Sequence, residues 1–283
     1  MANLKTYKPY TPSRRFMVWY DFTELSKKRP EKSLVKTIKK TGGRNNKWRI
    51  TTRFMWGWHK KLYRLIDFKW YDKLDIPAKV ASIEYDPYRT SRIALLNYAD
   101  WEKRYVLAWK WIKVWTEVSV WKSAPIAAWN RKQLKDIPEW LSVFNVEVVP
   151  FTKGKLMKSA WTFATIAWKD EIQKLVFLKL PSWEVRKFNE DCRVTIWELW
   201  NEDHQNVVVW KAWRQRRLWR KPRVLWKNMN PVDHPHWGWE WHTEIGLKKW
   251  PKSFNWRLVA AGINTRKKKK RSTRFIVSSR TKN

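Results

Sequence analysis

A surplus of positive charge sets the first limit on what this chain can fold into. It carries 61 Lys and Arg against 25 Asp and Glu, a formal net charge of +36 at neutral pH. A compact body with that surplus repels itself unless something anionic neutralises it. The pI near 10.4 points to a polyanion, either nucleic acid or an acidic membrane surface. No uninterrupted apolar run is long enough to span a bilayer. The first residues, M-A-N-L-K-T-Y-K, lack the apolar core of a signal peptide. A soluble nucleic-acid-binding protein with no membrane partner is therefore the expected class. The 283 residues suffice for one large or two small domains. Cys192 is the only cysteine, which excludes an internal disulfide and a Cys-rich zinc site. A buried small apolar residue is its expected role.

The pattern changes along the chain. Residues 1 to about 60 are basic and poorly periodic. Thr41-Gly42-Gly43-Arg44-Asn45-Asn46-Lys47-Trp48-Arg49 is turn-rich and cationic, which predicts an extended arm that orders on RNA. From Leu62, short β-type runs follow one another: Tyr63 to Ile66, Val80 to Tyr85, Arg92 to Tyr98 and Lys103 to Leu107. Turn residues such as Asp86-Pro87 and Ala99-Asp100 separate them. Short strands at regular spacing predict a small barrel or sandwich. A second β-rich block begins near Ile137 and includes Ser142 to Val149, Lys174 to Leu180, Glu184 to Arg186 and Cys192 to Ile196. It predicts a second small barrel. After about residue 201 the strand pattern fades into dense basic runs around Arg214 to Arg223 and Arg266 to Arg271. Between them lies N-M-N-P-V-D-H-P-H-W-G-W-E-W-H, residues 228–242. Pro231 and Pro235 push the residue before each out of the helical region. The stretch reads as a loop shaped by a partner.

These residues carry a resemblance. T-G-G-R-N-N at 41–46, I-D-F-K at 66–69, I-P-A-K-V-A-S-I-E-Y-D-P at 76–87, R-I-A-L-L at 92–96 and M-N-P-V-D-H-P-H at 229–236 resemble the bacterial form of large-subunit ribosomal protein two, in register over nearly the whole chain. The resemblance implies a mainly β fold: an OB-fold barrel over 61–125 and an SH3-like barrel over 126–200. Basic extensions flank them at 1–60 and 201–283, the latter threading into ribosomal RNA. It implies a structural, non-enzymatic constituent of the large subunit in the cytoplasm. Its partners would be ribosomal RNA, other ribosomal proteins and, at the intersubunit bridge region, the small subunit. It also implies support of subunit association, tRNA binding and the peptidyl transferase region.

Candidate RNA contacts follow. Arg44, Arg49, Arg53, Lys60, Lys61 and Arg64 form one basic set, and Arg214, Arg216, Arg217, Arg220 and Arg223 another. Arg266, Lys268 and Arg271 continue it into the tail. Guanidinium groups engage phosphate bidentately. Asn230, His234 and His236 sit in the loop motif, where the imidazoles would hydrogen-bond or stack on RNA. A metal site at these histidines would need further ligands such as Asp233 and His242, in a geometry that Pro235 constrains. General acid–base chemistry at His234 lacks a nucleophile or substrate pocket. No catalytic residue, metal or cofactor is expected. A nuclease would need clustered carboxylates, which the basic segments lack. A membrane-surface protein would need a sustained basic amphipathic helix.

One count is abnormal: 26 Trp and only 7 Gly, where Gly normally makes up about 7% of residues. Trp occupies turns, as in Pro181-Ser182-Trp183-Glu184 and Trp237-Gly238-Trp239-Glu240-Trp241. In the family pattern these are glycine positions, as are Trp48, Trp56, Trp58, Trp101, Trp140, Trp161, Trp197, Trp200, Trp213 and Trp226. Some bacteria read UGA as glycine and others as tryptophan. A gene of the first kind read by the second code gives this sequence. Stacking of real indoles on bases would explain one or two sites but not nearly every turn. At Trp19, Trp70, Trp109, Trp168 and Trp250 the likeness is too loose to assign.

Overall fold

The computed structural model describes residues 4–55, 59–70, 72–73, 76–119, 126–127, 129–236, 252–259, 266–267 and 269–279. The chain forms two compact units. One comprises residues 1–39, 60–211 and 274–283, the other residues 40–59 and 212–273.

Among the described residues, the first unit is built of β-strands with three short 3-10 helices between them. β1 (Leu4–Thr6) pairs antiparallel with β2 (Val18–Tyr20), and β3 (Val35–Thr37) with β4 (Leu62–Arg64). A four-stranded sheet follows. It is built from β5 (Ala78–Glu84), β6 (Ile93–Tyr98), β7 (Lys103–Leu107) and β8 (Glu117–Val118), in the order β7-β6-β5-β8. A register shift between Val80 and Ser82 kinks β5, and such a bulge sharpens the local twist. Ile66 bridges Tyr105 in parallel on the β7 edge. Val80, Ile83, Leu96, Val106 and Leu107 fill the core under this sheet, and Trp109, Phe144 and Leu199 join them.

The second sheet has seven strands: β9 (Arg131–Gln133), β10 (Ser142–Phe144), β11 (Ala164–Asp170), β12 (Leu175–Lys179), β13 (Val185–Asn189), β14 (Arg193–Ile196) and β15 (Ile276–Ser278). Their order is β15-β13-β12-β11-β10-β14-β9. On β12, Val176 and Leu178 point inward while their neighbours do not, the period-two pattern of a half-buried strand. With Val143, Ile166, Val194 and Ile196 they make the second core. Cys192 lies in that core, and burial pushes its thiol up to about 12. At the edge of the sheet Arg131 and Glu147 are fully buried and paired at 2.5 Å. Arg131 also donates to the Asn145 carbonyl at 3.1 Å, and Glu147 accepts from the Arg193 N–H at 3.2 Å.

Three expectations change. The N-terminal extension, expected as an extended arm that orders on RNA, contains three short strands. The tail adds β15 to β13, and residues after 201 include one short helix, α1 (Ala212–Arg217). These segments show no period because their backbone groups are satisfied by distant partners. The alternation from Ser142 to Val149 does not make one strand: β10 stops at Phe144 because Asn145 takes φ +50°.

Four loops share one turn geometry. In residues 45–49, 98–102, 180–184 and 253–257, the fourth N–H donates to the first carbonyl at 2.8–3.1 Å. The first N–H donates to the fifth carbonyl at 2.8–3.0 Å. This is a three-residue hairpin loop whose last residue must be left-handed. That residue is Trp48, Trp101, Trp183 and Trp256, with φ of +57°, +65°, +67° and +59°. Nine further Trp have positive φ: Trp70, Trp111, Trp115, Trp129, Trp140, Trp161, Trp197, Trp210 and Trp219. The six other described Trp (Trp19, Trp109, Trp168, Trp200, Trp213 and Trp226) do not. So six of the positions matched to family glycine are left-handed, while Trp200, Trp213 and Trp226 are not. Trp56, Trp58, Trp237, Trp239, Trp241 and Trp250 lie outside the described residues. A left-handed L-residue costs about 1–2 kcal/mol. Thirteen together reach the whole net stability of a typical domain, about 5–15 kcal/mol.

Candidate nucleic-acid interface

The second unit draws two distant segments together. Residues 40–59 and 212–273 contain 22 Lys and Arg against three acidic residues, Asp233, Glu240 and Glu244. More than half of the chain's +36 therefore lies in 82 residues. Three carboxylates cannot pair 22 cations, so this unit needs an external anion.

The backbone that carries these charges is held locally. Gly43, at φ +82°, accepts from the N–H groups of Thr51 and Thr52. A Cβ there would meet the Thr52 carbonyl oxygen at 2.2 Å, so only glycine fits. Arg44 is half-buried and donates to the Gly42 carbonyl at 2.9 Å, while Arg49 and Arg53 are exposed. Met55 bridges Arg220, and the Lys221 N–H donates to the Phe54 carbonyl at 2.9 Å. Aromatic rings hold the cations in place: Arg53 lies 4.5 Å over Phe254 and Arg223 5.3 Å over Phe54. Such contacts contribute about 0.5–1 kcal/mol at exposed sites. Phe54 and Phe254 escaped the sequence reading. The signal available was an aromatic residue beside each basic run.

On the other basic positions the structure is equally definite. Arg214, Arg216 and Arg217 occupy α1, the first two half-buried and the last exposed. Arg220, Arg223, Asn230 and Arg271 are exposed. Arg266 donates to the Ser272 hydroxyl at 3.1 Å, and Lys268 lies outside the described residues. Lys60, Lys61 and Arg64 belong to the first unit, not to this cluster. There Lys61 donates to the Pro87 carbonyl at 3.3 Å and Arg64 to the Leu62 carbonyl at 2.9 Å.

The loop histidines make contacts within the chain itself. His234 and His236 are both buried. The His234 Nδ1 accepts from the His236 N–H at 3.0 Å, and the His236 Nε2 accepts from the Lys252 N–H at 2.9 Å. Trp226 stacks over His234 with ring centroids 6.1 Å apart. Burial, then the neighbouring His236 and Arg53, hold the His234 pKa below the usual histidine value. The rings thus bind backbone and pin the loop. Among the described residues no three His, Cys, Asp or Glu side chains cluster as a metal site, and no helix is long and apolar enough to cross a membrane.

The first unit treats charge differently. Arg104 bonds to Asp67 at 2.7 Å, Asp72 at 2.5 Å and Glu102 at 2.8 Å, while Lys73 pairs with Asp100 and Glu102. The Arg104 guanidinium pulls the Asp72 carboxyl down to about 2. A chain built this way combines a β scaffold, where 39 Lys and Arg meet 22 acidic residues, with a smaller and more densely cationic module. Residues 31–119 match the family model for the RNA-binding N-terminal domain of ribosomal proteins L2, and residues 129–255 the model for their C-terminal domain. The chain belongs to the ribosomal protein L2 family. Membership in the L2 family makes it a structural constituent of the large ribosomal subunit that binds RNA. The mainly β architecture accords with the L2 pattern of an OB-fold followed by a further barrel.

Proposed function

We propose that this L2-family chain anchors large-subunit ribosomal RNA through the cationic unit of residues 40–59 and 212–273. The observation that carries this reading is the concentration there of 22 Lys and Arg against three acidic residues. Arg49, Arg53, Arg217, Arg220, Arg223 and Arg271 are its exposed phosphate contacts. Arg44, Arg214, Arg216 and Arg266 join them from half-buried positions, Lys268 adds a further contact of this unit, and Lys60, Lys61 and Arg64 are separate RNA contacts of the first unit. Asn230 presents the loop, and His234 and His236 hold its backbone. The chain works in the cytoplasm, inside the ribosome and beside other ribosomal proteins. It supports subunit association through the intersubunit bridge region, tRNA binding and the peptidyl transferase region, where the RNA performs the chemistry. The divisions at 1–60, 61–125, 126–200 and 201–283 are its functional segments.

Filter binding of the purified chain to large-subunit ribosomal RNA, against anionic vesicles of matched charge, tests the reading. Strong RNA retention with weak vesicle binding is the expected result. Equal or stronger binding to vesicles would overturn it, as would absence of the chain from purified large subunits.

A further inference from the structure

The left-handed tryptophans form a pattern that side-chain chemistry does not explain. The four equivalent hairpin loops place Trp at the one position where the turn demands φ > 0. Their flanking residues (Asn46-Lys47, Ala99-Asp100, Pro181-Ser182 and Phe254-Asn255) are otherwise suited to such turns. A strained residue persists when its surroundings hold it there, and three of the hairpin tips are open to solvent. Trp101 is 92% exposed, Trp48 75% and Trp183 70%. Trp70 is the contrast. It is buried, packs in the first core and donates its indole N–H to the Asp67 carbonyl at 3.1 Å. Trp109 is buried in the same core. Trp19 and Trp168 sit in strands, and Trp168 stacks on Phe177 with centroids 4.5 Å apart. Those four positions suit an indole.

We infer that the twelve left-handed Trp other than Trp70 are glycine in the protein as its own cell makes it, through UGA codons read as glycine, and that Trp19, Trp70, Trp109 and Trp168 are tryptophan. Backbone conformation assigns these positions, including several where resemblance to a family was silent. Glycine visits positive φ at no steric cost, which fits all twelve at once. The cleft of about 350 Å³ lined by Trp161, Pro181 and Trp183 then loses two of its walls and is no ligand site. Each turn tip presents bare backbone, which a phosphate can approach more closely than it can an indole.

The gene's codons and peptides from the source cells decide the matter. UGA is expected at the twelve positions and UGG at 19, 70, 109 and 168. In mass spectrometry of tryptic peptides, 159–169 carries its own control: glycine at 161 and tryptophan at 168. Peptides 93–103 and 180–186 should each be lighter by the difference between an indolylmethyl group and hydrogen. UGG codons at the turn tips would overturn the inference, and so would tryptophan in these peptides. The inference does not rest on the RNA-anchoring proposal. Glycine-bearing peptides found only outside the ribosomal fraction would sink that proposal and leave the inference standing.

Discussion

At the scale of single residues, two buried polar groups decide local order. Arg131 on β9 and Glu147 are fully buried, and each is also tied to backbone across the sheet edge. Removing one partner strands a charge in the interior, which costs about 3–5 kcal/mol. Glu147→Gln or Arg131→Met should therefore lower the urea midpoint sharply. The double variant should recover part of the loss, and an additive double variant would show that the pair is not coupled. His234 makes the second case. Its Nδ1 must be unprotonated to accept from the His236 N–H, and its folded pKa is depressed. A depressed pKa means that the folded loop binds fewer protons than the open chain. Its stability is intact above the open-chain value of about 6.5 and falls as pH drops through the lower folded value. Hydrogen exchange at the amides of His236 and Lys252 should accelerate below that pH, and the pH step should vanish in His234→Ala. Constant protection down to acidic pH would remove His234 from the loop's support.

At the scale of elements, the β-hairpin connecting β6 and β7 shows what one turn residue does. Trp101 sits left-handed at its tip and is almost fully exposed. Trp101→Gly should raise the unfolding free energy by about 1 kcal/mol, because it relieves the Cβ clash and gives up part of that gain to unfolded-state entropy. Trp101→Ala keeps the Cβ and should change little. Equal urea midpoints for the two variants would mean that the tip is unstrained. The same residues explain how legible the elements were. β5, β6, β7, β12 and β14 announced themselves because their apolar residues recur with the strand period or run unbroken between turn residues. β11 was overlooked because Trp161 stands where a turn glycine would mark its approach and Trp168 interrupts its pattern. β1, β2, β3, β9 and β15 are three residues each, too short for any period. Their pairing is set by partners far away in sequence, as β15 with β13.

At the scale of the whole molecule, the distribution of charge separates scaffold from site. The basic runs were visible in the sequence, but their grouping was not. Which runs share a unit depends on long-range contacts such as Met55 with Arg220, and the burial of His234 and His236 depends on the chain folding back at Lys252. The grouping has a measurable consequence. RNA affinity governed by phosphate neutralisation falls linearly in log K against log salt, by roughly 0.7–0.9 per contact. Arg49, Arg53, Arg220 and Arg223 are exposed members of the cationic unit. Replacing all four by Ala should weaken ribosomal RNA binding and flatten the slope by roughly 3. Lys79 supplies the control: it is exposed too, but it lies in the less densely cationic unit, 3.3 Å from Glu117. Lys79→Ala should leave both affinity and slope nearly unchanged. If the two variants shift the slope alike, binding responds to total charge rather than to this unit, and the site must be sought elsewhere on the molecule.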